Sequence, residues 1–380
     1  MNAPQEPPVT LLPTGFIDLL QHEAEAEAQG IARIMDVFSQ YGYEQVRPPL
    51  IEFEASLLAG GGQALSAQTF RILDPDSRRM LALRPDMTTQ ISRIAATRLA
   101  ERPRPLRLSY AGSCVLVGTP GRDGARQITQ VGLELIGPDS AEADAEVILV
   151  TSSALSALQV ANVSIDLSCP NIAKALIATE TFTAAQEATL IQALDRKDVA
   201  AVRDLGGTLA PVLTQLLRAT GPARHALDIL TQLDLPPSAA DEVRRLQEVV
   251  NAVWAADPTI ILTIDPAEFR GWQYHTGLCM TVFAADVREE IGRGGRYLSY
   301  EQEAACGMTL RPEALLKATP PVSLKKRVYL PHGTSAARSH KLREDGFATV
   351  AGLNEVSDPC AEARRLRCAY YILQDKLVEV

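Results

Sequence analysis

Two long β-type runs, Leu106–Val117 and Gln127–Gly137, flank the short loop Gly118–Arg126. Strands joined by so short a loop pair antiparallel, because a parallel pair needs a crossover of a dozen or more residues. A second hairpin reads the same way: Phe70–Leu73 and Met80–Leu83 flank the turn Asp74-Pro75-Asp76-Ser77. Helical patterns alternate with these pairs. In Leu20–Tyr41, Ala24, Ala28, Ile31, Met35 and Phe38 fall on one helical face, and Gly42 fits a helix stop. In Thr88–Ala100, Ile91, Ile94, Ala95 and Leu99 do the same. Between them, Pro48 and Pro49 exclude helix and predict an extended segment over Gln45–Phe53. Antiparallel pairs mixed with helices predict an α+β fold rather than a doubly wound sheet.

Composition shifts near Asn171. From there to about Ala255 the chain is rich in Ala, Leu, Gln and Arg and reads as a helical insertion, residues 171–255. Strand signals return at Ile260–Ile264, Leu278–Phe283 and Ile291–Tyr297. Ala318–Val322, with Pro320 and Pro321, reads as a linker. Beyond it, strand and helix repeat: Arg327–Leu330, Ser335–Arg343, Ala348–Ala351, Ala361–Leu366, Tyr370–Leu373 and Leu377–Val380. The expected layout is a main domain over 1–318 and a small α/β domain over 323–380.

A net charge of −9 gives no broad electrostatic footprint for nucleic acid, and 5% aromatic residues argue against stacking platforms for single strands. No apolar run approaches the ~18 residues of a membrane span. The N-terminus has no basic region of the kind that opens a signal peptide. The six cysteines form no C-x-x-C pair and the five histidines show no ligand spacing, so neither a metal nor a cofactor is expected. Reduced thiols and a cytoplasmic location follow as expectations.

Four segments combine unusual polar residues with strand context. Leu83-Arg84-Pro85-Asp86-Met87-Thr88 ends a strand and opens a helix, so Asp86 and Thr88 stand where a ligand ammonium can be held; helix capping is the plainer local reading. In Arg126–Glu134, alternation puts Gln130, Gly132 and Glu134 on one face, opposite Val131 and Leu133. That face can floor a polar pocket, with Gly132 leaving room for a ligand, or simply be exposed. Glu268–Gly277 gathers Arg270, Tyr274 and His275, and Arg270 can clamp a carboxylate. Gly292-Arg293-Gly294-Gly295-Arg296-Tyr297 lacks phosphate-loop spacing and reads as a glycine-kinked strand. Asp204–Thr208 reads as a turn.

Together and in this order, these segments resemble class II histidyl-tRNA synthetases. The resemblance runs from Leu12-Pro13-Thr14-Gly15-Phe16-Ile17-Asp18 to about Leu315, and includes a dimer-forming motif at Val46–Glu52. It implies an antiparallel sheet flanked by helices. It also implies departures. The arginine that serves the carboxylate and the ATP α-phosphate falls on Leu116, and a nucleotide-binding glutamate falls on Gly118. A neutral Leu cannot offset phosphate charge, which such catalysis depends on. The arginine that sandwiches ATP falls on Pro312, with Arg311 one place off, and the last sixty residues are shorter than an anticodon-binding domain.

A kept amino-acid pocket without ATP chemistry resembles the regulatory subunits of ATP phosphoribosyltransferase, synthetase paralogues that partner a short catalytic subunit at the first step of histidine biosynthesis. That resemblance implies a non-catalytic chain, a homodimeric core within a hetero-oligomer, and feedback by L-histidine. Carried over, Asp86 binds the ligand ammonium with help from Thr88 and Gln130. Glu134 faces the imidazole, Arg270 the carboxylate, and Tyr274 with His275 lines the imidazole slot. Two other readings stand beside this one. One is a divergent synthetase or amino-acid-adenylating paralogue, which pyrophosphate exchange with ATP and histidine would reveal. The other is an RNA-binding module on a synthetase scaffold, which the acidic balance disfavours.

Overall fold

In the computed structural model, which describes residues 10–118, 124–269, 275–321 and 323–380, the chain divides into two compact units, 1–320 and 321–380. In the first unit the early strands are short: β1 (Glu44–Gln45), β2 (Ile51–Phe53), β3 (Arg71–Leu73) and β4 (Met80–Leu83). The long pair is β5 (Leu106–Val115) and β6 (Gln127–Ile136), antiparallel from Leu106↔Ile136 to Val115↔Gln127. After them come β7 (Val163–Ser168), β8 (Gly221–Pro222), β9 (Ile261–Asp265), β10 (Cys279–Ala284), β11 (Gly292–Leu298) and β12 (Ala304–Leu310).

Nine strands form one sheet in the order β1-β5-β6-β12-β11-β10-β7-β9-β8. Every pair from β5 through to β7 is antiparallel, while β1/β5 and β7/β9 are parallel. The helical stretch expected as an insertion is therefore the crossover between β7 and β9, the long return that a parallel pair requires. Strands β2, β4 and β3 form a separate three-stranded sheet.

Alternation along β6 sorts its residues as the sequence predicts. Val131, Leu133 and Leu135 enter the main core, with Ile34, Val37 and Phe38 of the helix Gln21–Gln40 and Val147 and Ile148 of the helix Ala141–Ala157. The opposite face of the sheet carries a smaller cluster under the helix Thr88–Thr97, with Met87, Ile91, Ala95, Tyr110 and Tyr297. One expectation is corrected here. On the first helix Ala24 and Ala28 are exposed, and the buried stripe is Gly30, Ile34, Val37 and Phe38. Ile31, Met35 and Phe38 of the expected face do pack on the core, while Ala24 and Ala28 at its N-terminal end stand clear of it. The helix ends as expected: Gly42 has φ +80°, and Tyr43 N–H returns to Phe38 C=O at 3.0 Å, a Schellman closure.

The glycines of β11 are set by crowding. A side chain on Gly294 would collide with the Gly307 carbonyl of β12, and Gly295 has φ +143°. The segment is an interior strand, as expected, and not a phosphate loop.

The second unit adds β13 (Arg327–Leu330), β14 (Ala348–Ala351), β15 (Tyr370–Leu373) and β16 (Lys376–Glu379), in the order β14-β13-β15-β16. β13 runs parallel to both β14 and β15, and the helices Ala336–Glu344 and Pro359–Arg365 make the two returns. Gln374 and Asp375, both at positive φ, turn β15 tightly into antiparallel β16.

Candidate functional site

The small-cluster face of the large sheet opens into a cavity of about 210 Å³. Asp86, Thr88, Gln130, Glu134 and His275 line it, together with Tyr297, Thr309, Arg293 and Arg311. Five of the residues singled out from the sequence thus meet in one place. Arg270 and Tyr274 lie outside the described residues.

Asp86 follows Pro85 at the end of β4, where the chain turns into the next helix. Its Oδ1 accepts from Thr88 N–H at 2.8 Å, and its Oδ2 accepts from Gln130 Nε2 at 2.9 Å. Gln130 returns the tie, its Oε1 accepting from Met87 N–H at 3.0 Å. Asp86 thus steadies the turn ahead of the helix, whose N-cap is Met87 without a side-chain cap, and its carboxylate still lines the cavity.

Glu134 stands at the bottom, 1% exposed. Tyr297 Oη donates to its Oε2 at 2.9 Å and Tyr110 Oη to its Oε1 at 3.2 Å. The Tyr110 phenol also meets Thr309 Oγ1 at 2.7 Å and Thr88 Oγ1 at 3.4 Å. Burial pushes the Glu134 carboxyl up to about 8, with a smaller push from Asp86, against the lowering effect of the Tyr297 hydroxyl. Burial, followed by the charge of Glu134, raises Tyr110 well above the ordinary phenol range.

Two glycines make room for this floor. A Cβ on Gly307 would run into the Glu134 carboxylate, and one on Gly132 into the Tyr110 hydroxyl. Gly132 thus clears space for the phenol of its cross-strand partner, Tyr110, rather than for a ligand.

Sequence reasoning gave no site role to Tyr110, Tyr297, Thr309 or Arg293, and named Arg311 only beside the lost ATP contact. Tyr110 had a signal, because the hairpin register sets it opposite Gly132. Tyr297 and Arg293 had one in the alternation of β11. Their side chains face the cavity, while Arg296 between them points the other way. Arg296 grips the fully buried Asp144, Nη2 to Oδ1 at 2.6 Å and Nε to Oδ1 at 3.0 Å. Arg245 reaches the same carboxylate at 3.3 Å. At the rim, Glu290 accepts from Arg293 Nη2 at 2.5 Å and pairs with Arg311 Nη2 at 2.8 Å. Leu116 is buried just past β5, its N–H bonded to Arg126 C=O at 2.7 Å.

The cavity is polarised. Two carboxyl groups, the Tyr297 phenol, the His275 imidazole and two guanidinium groups line it. Such a lining suits a small zwitterion with a basic, hydrogen-bonding side chain.

Comparison with known proteins places this arrangement. A family model described as histidyl-tRNA synthetase matches residues 15–315. A solved structure from Bacillus halodurans, titled an ATP phosphoribosyltransferase regulatory subunit/histidyl-tRNA synthetase, matches with TM-score 0.82 at 22% identity, over 95% of this chain and 97% of that one. A histidyl-tRNA synthetase from Nostoc sp. matches with TM-score 0.78 at 18% identity, over 96% and 91%. The fold is the class II scaffold of histidyl-tRNA synthetases. Among curated relatives, a protein of Gluconobacter oxydans is 55% identical over 366 residues, 96% of each chain, and one of Paramagnetospirillum magneticum is 47% identical over 97% of this chain and 98% of its own. Both are named ATP phosphoribosyltransferase regulatory subunit, and the chain belongs to that family.

Proposed function

We propose that this regulatory subunit binds L-histidine in the cavity between Asp86 and Glu134 and so brings feedback to the first step of histidine biosynthesis. The ammonium goes to Asp86, steadied by Thr88 and Gln130. The imidazole goes to Glu134, with His275 and Tyr274 beside it, and Arg270 serves the carboxylate. The observation that carries this reading is the pair of carboxyl groups in one small cavity. One, Asp86, is braced by Gln130; the other, Glu134, is buried under two phenols. A ligand with two separate cationic or N–H donor groups answers both.

The same reading makes the chain non-catalytic and cytoplasmic, with a homodimeric core inside a hetero-oligomer. It enables and regulates a short catalytic subunit that joins ATP to phosphoribosyl pyrophosphate. Leu116, neutral and buried where a synthetase arginine is expected, supports the loss of adenylation.

Calorimetry with L-histidine on the full chain, on Asp86→Ala and on Glu134→Ala is the test. A lost hydrogen bond to a charged group is worth about 1.5–3 kcal/mol, so Asp86→Ala should bind about 10- to 100-fold more weakly, and Glu134→Ala should bind more weakly too, through loss of its hydrogen bond to the imidazole. Both variants, co-expressed with the catalytic subunit, should lose inhibition by histidine. Unchanged affinity in both, or no binding by the wild type or its complex, rejects the pocket. Histidine-dependent pyrophosphate exchange into ATP rejects the non-catalytic reading.

A further inference from the structure

The rim of the cavity holds a charge arrangement that the pocket reading does not use. Glu290, on the turn between β10 and β11, spends one carboxylate oxygen on Arg293 and the other on Arg311. Both arginines line the cavity. Two guanidinium groups against one carboxylate leave an excess positive charge. In addition, Arg293 Nε–H is buried and meets no acceptor among the described residues. A buried donor left without a partner is costly, so this rim is short of one acceptor.

We infer that Arg293 and Arg311 form a carboxylate subsite that Glu290 occupies in the absence of ligand, and that the α-carboxylate of bound histidine displaces Glu290 from it. The inference rests on the reading of the cavity as a histidine site. It adds a second carboxylate contact, beside that of Arg270, and a competitor built into the chain. A guanidinium presents several donors in a fixed plane, and a free carboxylate can engage that plane through both oxygens. Glu290 gives Arg293 a single oxygen because its other oxygen is on Arg311. An incoming carboxylate can therefore satisfy the Nε–H that Glu290 leaves unpaired.

Displacement has a structural consequence. The neighbouring Glu289 pairs with Lys317 at 2.5 Å, in the short turn Leu316–Ala318 near the end of the first unit. Glu290 itself ties to Arg311, the residue before the helix Pro312–Leu315. Release of Glu290 thus loosens one of two adjacent ties between the β10–β11 turn and that segment. Competition also lowers the apparent affinity for histidine, since the ligand first has to shift an internal equilibrium.

Calorimetry with L-histidine and with L-histidinol, which has an alcohol in place of the carboxylate, tests this on the full chain at fixed pH and salt. Wild type should prefer histidine by about 10- to 100-fold. Arg293→Ala should reduce that preference several-fold by weakening histidine alone, with histidinol affinity unchanged. Glu290→Gln should tighten histidine by roughly tenfold, the scale of one released charged contact, and leave histidinol where it was. Thermal melts of both variants, and Arg293→Lys as the conservative partner, guard against misfolding. Equal wild-type affinity for the two ligands, or equal weakening of both by Arg293→Ala, overturns the subsite while the pocket reading stands. Weaker histidine binding by Glu290→Gln makes Glu290 a support rather than a competitor and overturns the displacement. No binding of either ligand removes the pocket reading together with the subsite.

Discussion

Glu134 is an acid buried where its ionised form is disfavoured, and that shows in the pH dependence of stability. Its folded pKa of about 8 lies above the ordinary 4.5. Below 4.5 both folded and unfolded chains hold the proton, and the stability is present in full. Between 4.5 and 8 the unfolded chain releases the proton and the folded chain keeps it, so stability falls as pH rises, by about 1.4 kcal/mol per unit for this group. Glu134→Gln should flatten that slope and melt higher than wild type at pH 8, as urea titrations from pH 5 to 8 would read. A parallel slope in the variant would mean that the carboxyl ionises in the fold as it does in water. Legibility in the sequence divides at this same scale. Asp86, Thr88, Gln130 and Glu134 stood out because each belongs to a local run whose pattern reads without a partner. Thr309 did not, because only the pairing of distant β12 with β6 and β11 brings it to the cavity. Tyr110 needed one more step, the reading of a register across a hairpin.

At the scale of elements, the tie between sheet and helix layer is Asp144 with Arg296 and Arg245. Asp144 is 0% exposed, on the helix Ala141–Ala157, and Arg296 stands beside Tyr297 on β11. Removing one partner of a buried ion pair leaves the other charge stranded. Asp144→Ala should therefore cost about 3–5 kcal/mol in chemical denaturation, and the double change Asp144→Leu with Arg296→Met far less. Equal losses would show that packing volume, not charge, holds the layers. Elements differed in how far they could be read. The hairpin β5–β6 and the strands and helices of the second unit followed from alternation and turn residues. The helix Ala141–Ala157 did not, because Ala143, Val147, Ile148, Val150 and Thr151 are buried on several sides and leave no amphipathic stripe. β12 is buried along most of its length and so lacks alternation. β7 did alternate, Val163, Ile165 and Leu167 against Ser164, Asp166 and Ser168, and could have been assigned.

At the scale of the whole molecule, the proposed homodimer has a physical motive. β2 is an edge of the three-stranded sheet, and Leu50 and Ile51 are 42% and 40% exposed there. Open, apolar strand edges invite association unless something covers them. Light scattering at micromolar concentration should give twice the monomer mass of 41.1 kDa, and Ile51→Lys should move it toward the monomer. A monomeric wild type would leave the edge without its cover.

The sheet order has a further consequence, for how the chain reaches its fold. β5 and β6 are neighbours in sequence and can zip early, at little loop-closure cost. Their partner in the floor, β12, is the last strand of the first unit among the described residues, and Glu134 meets Gly307 only when β12 docks on β6. β7 must likewise wait for β9, with Ser164 set against Ile261 across the whole helical crossover. Contacts this distant make for slow folding. The cavity is therefore completed late, after both long-range pairings have formed. A chain stopped short of residue 310 would carry Asp86, Gln130 and Glu134 with no closed pocket around them. The ability to sense a ligand arrives together with the finished sheet, so a half-folded subunit has nothing to report.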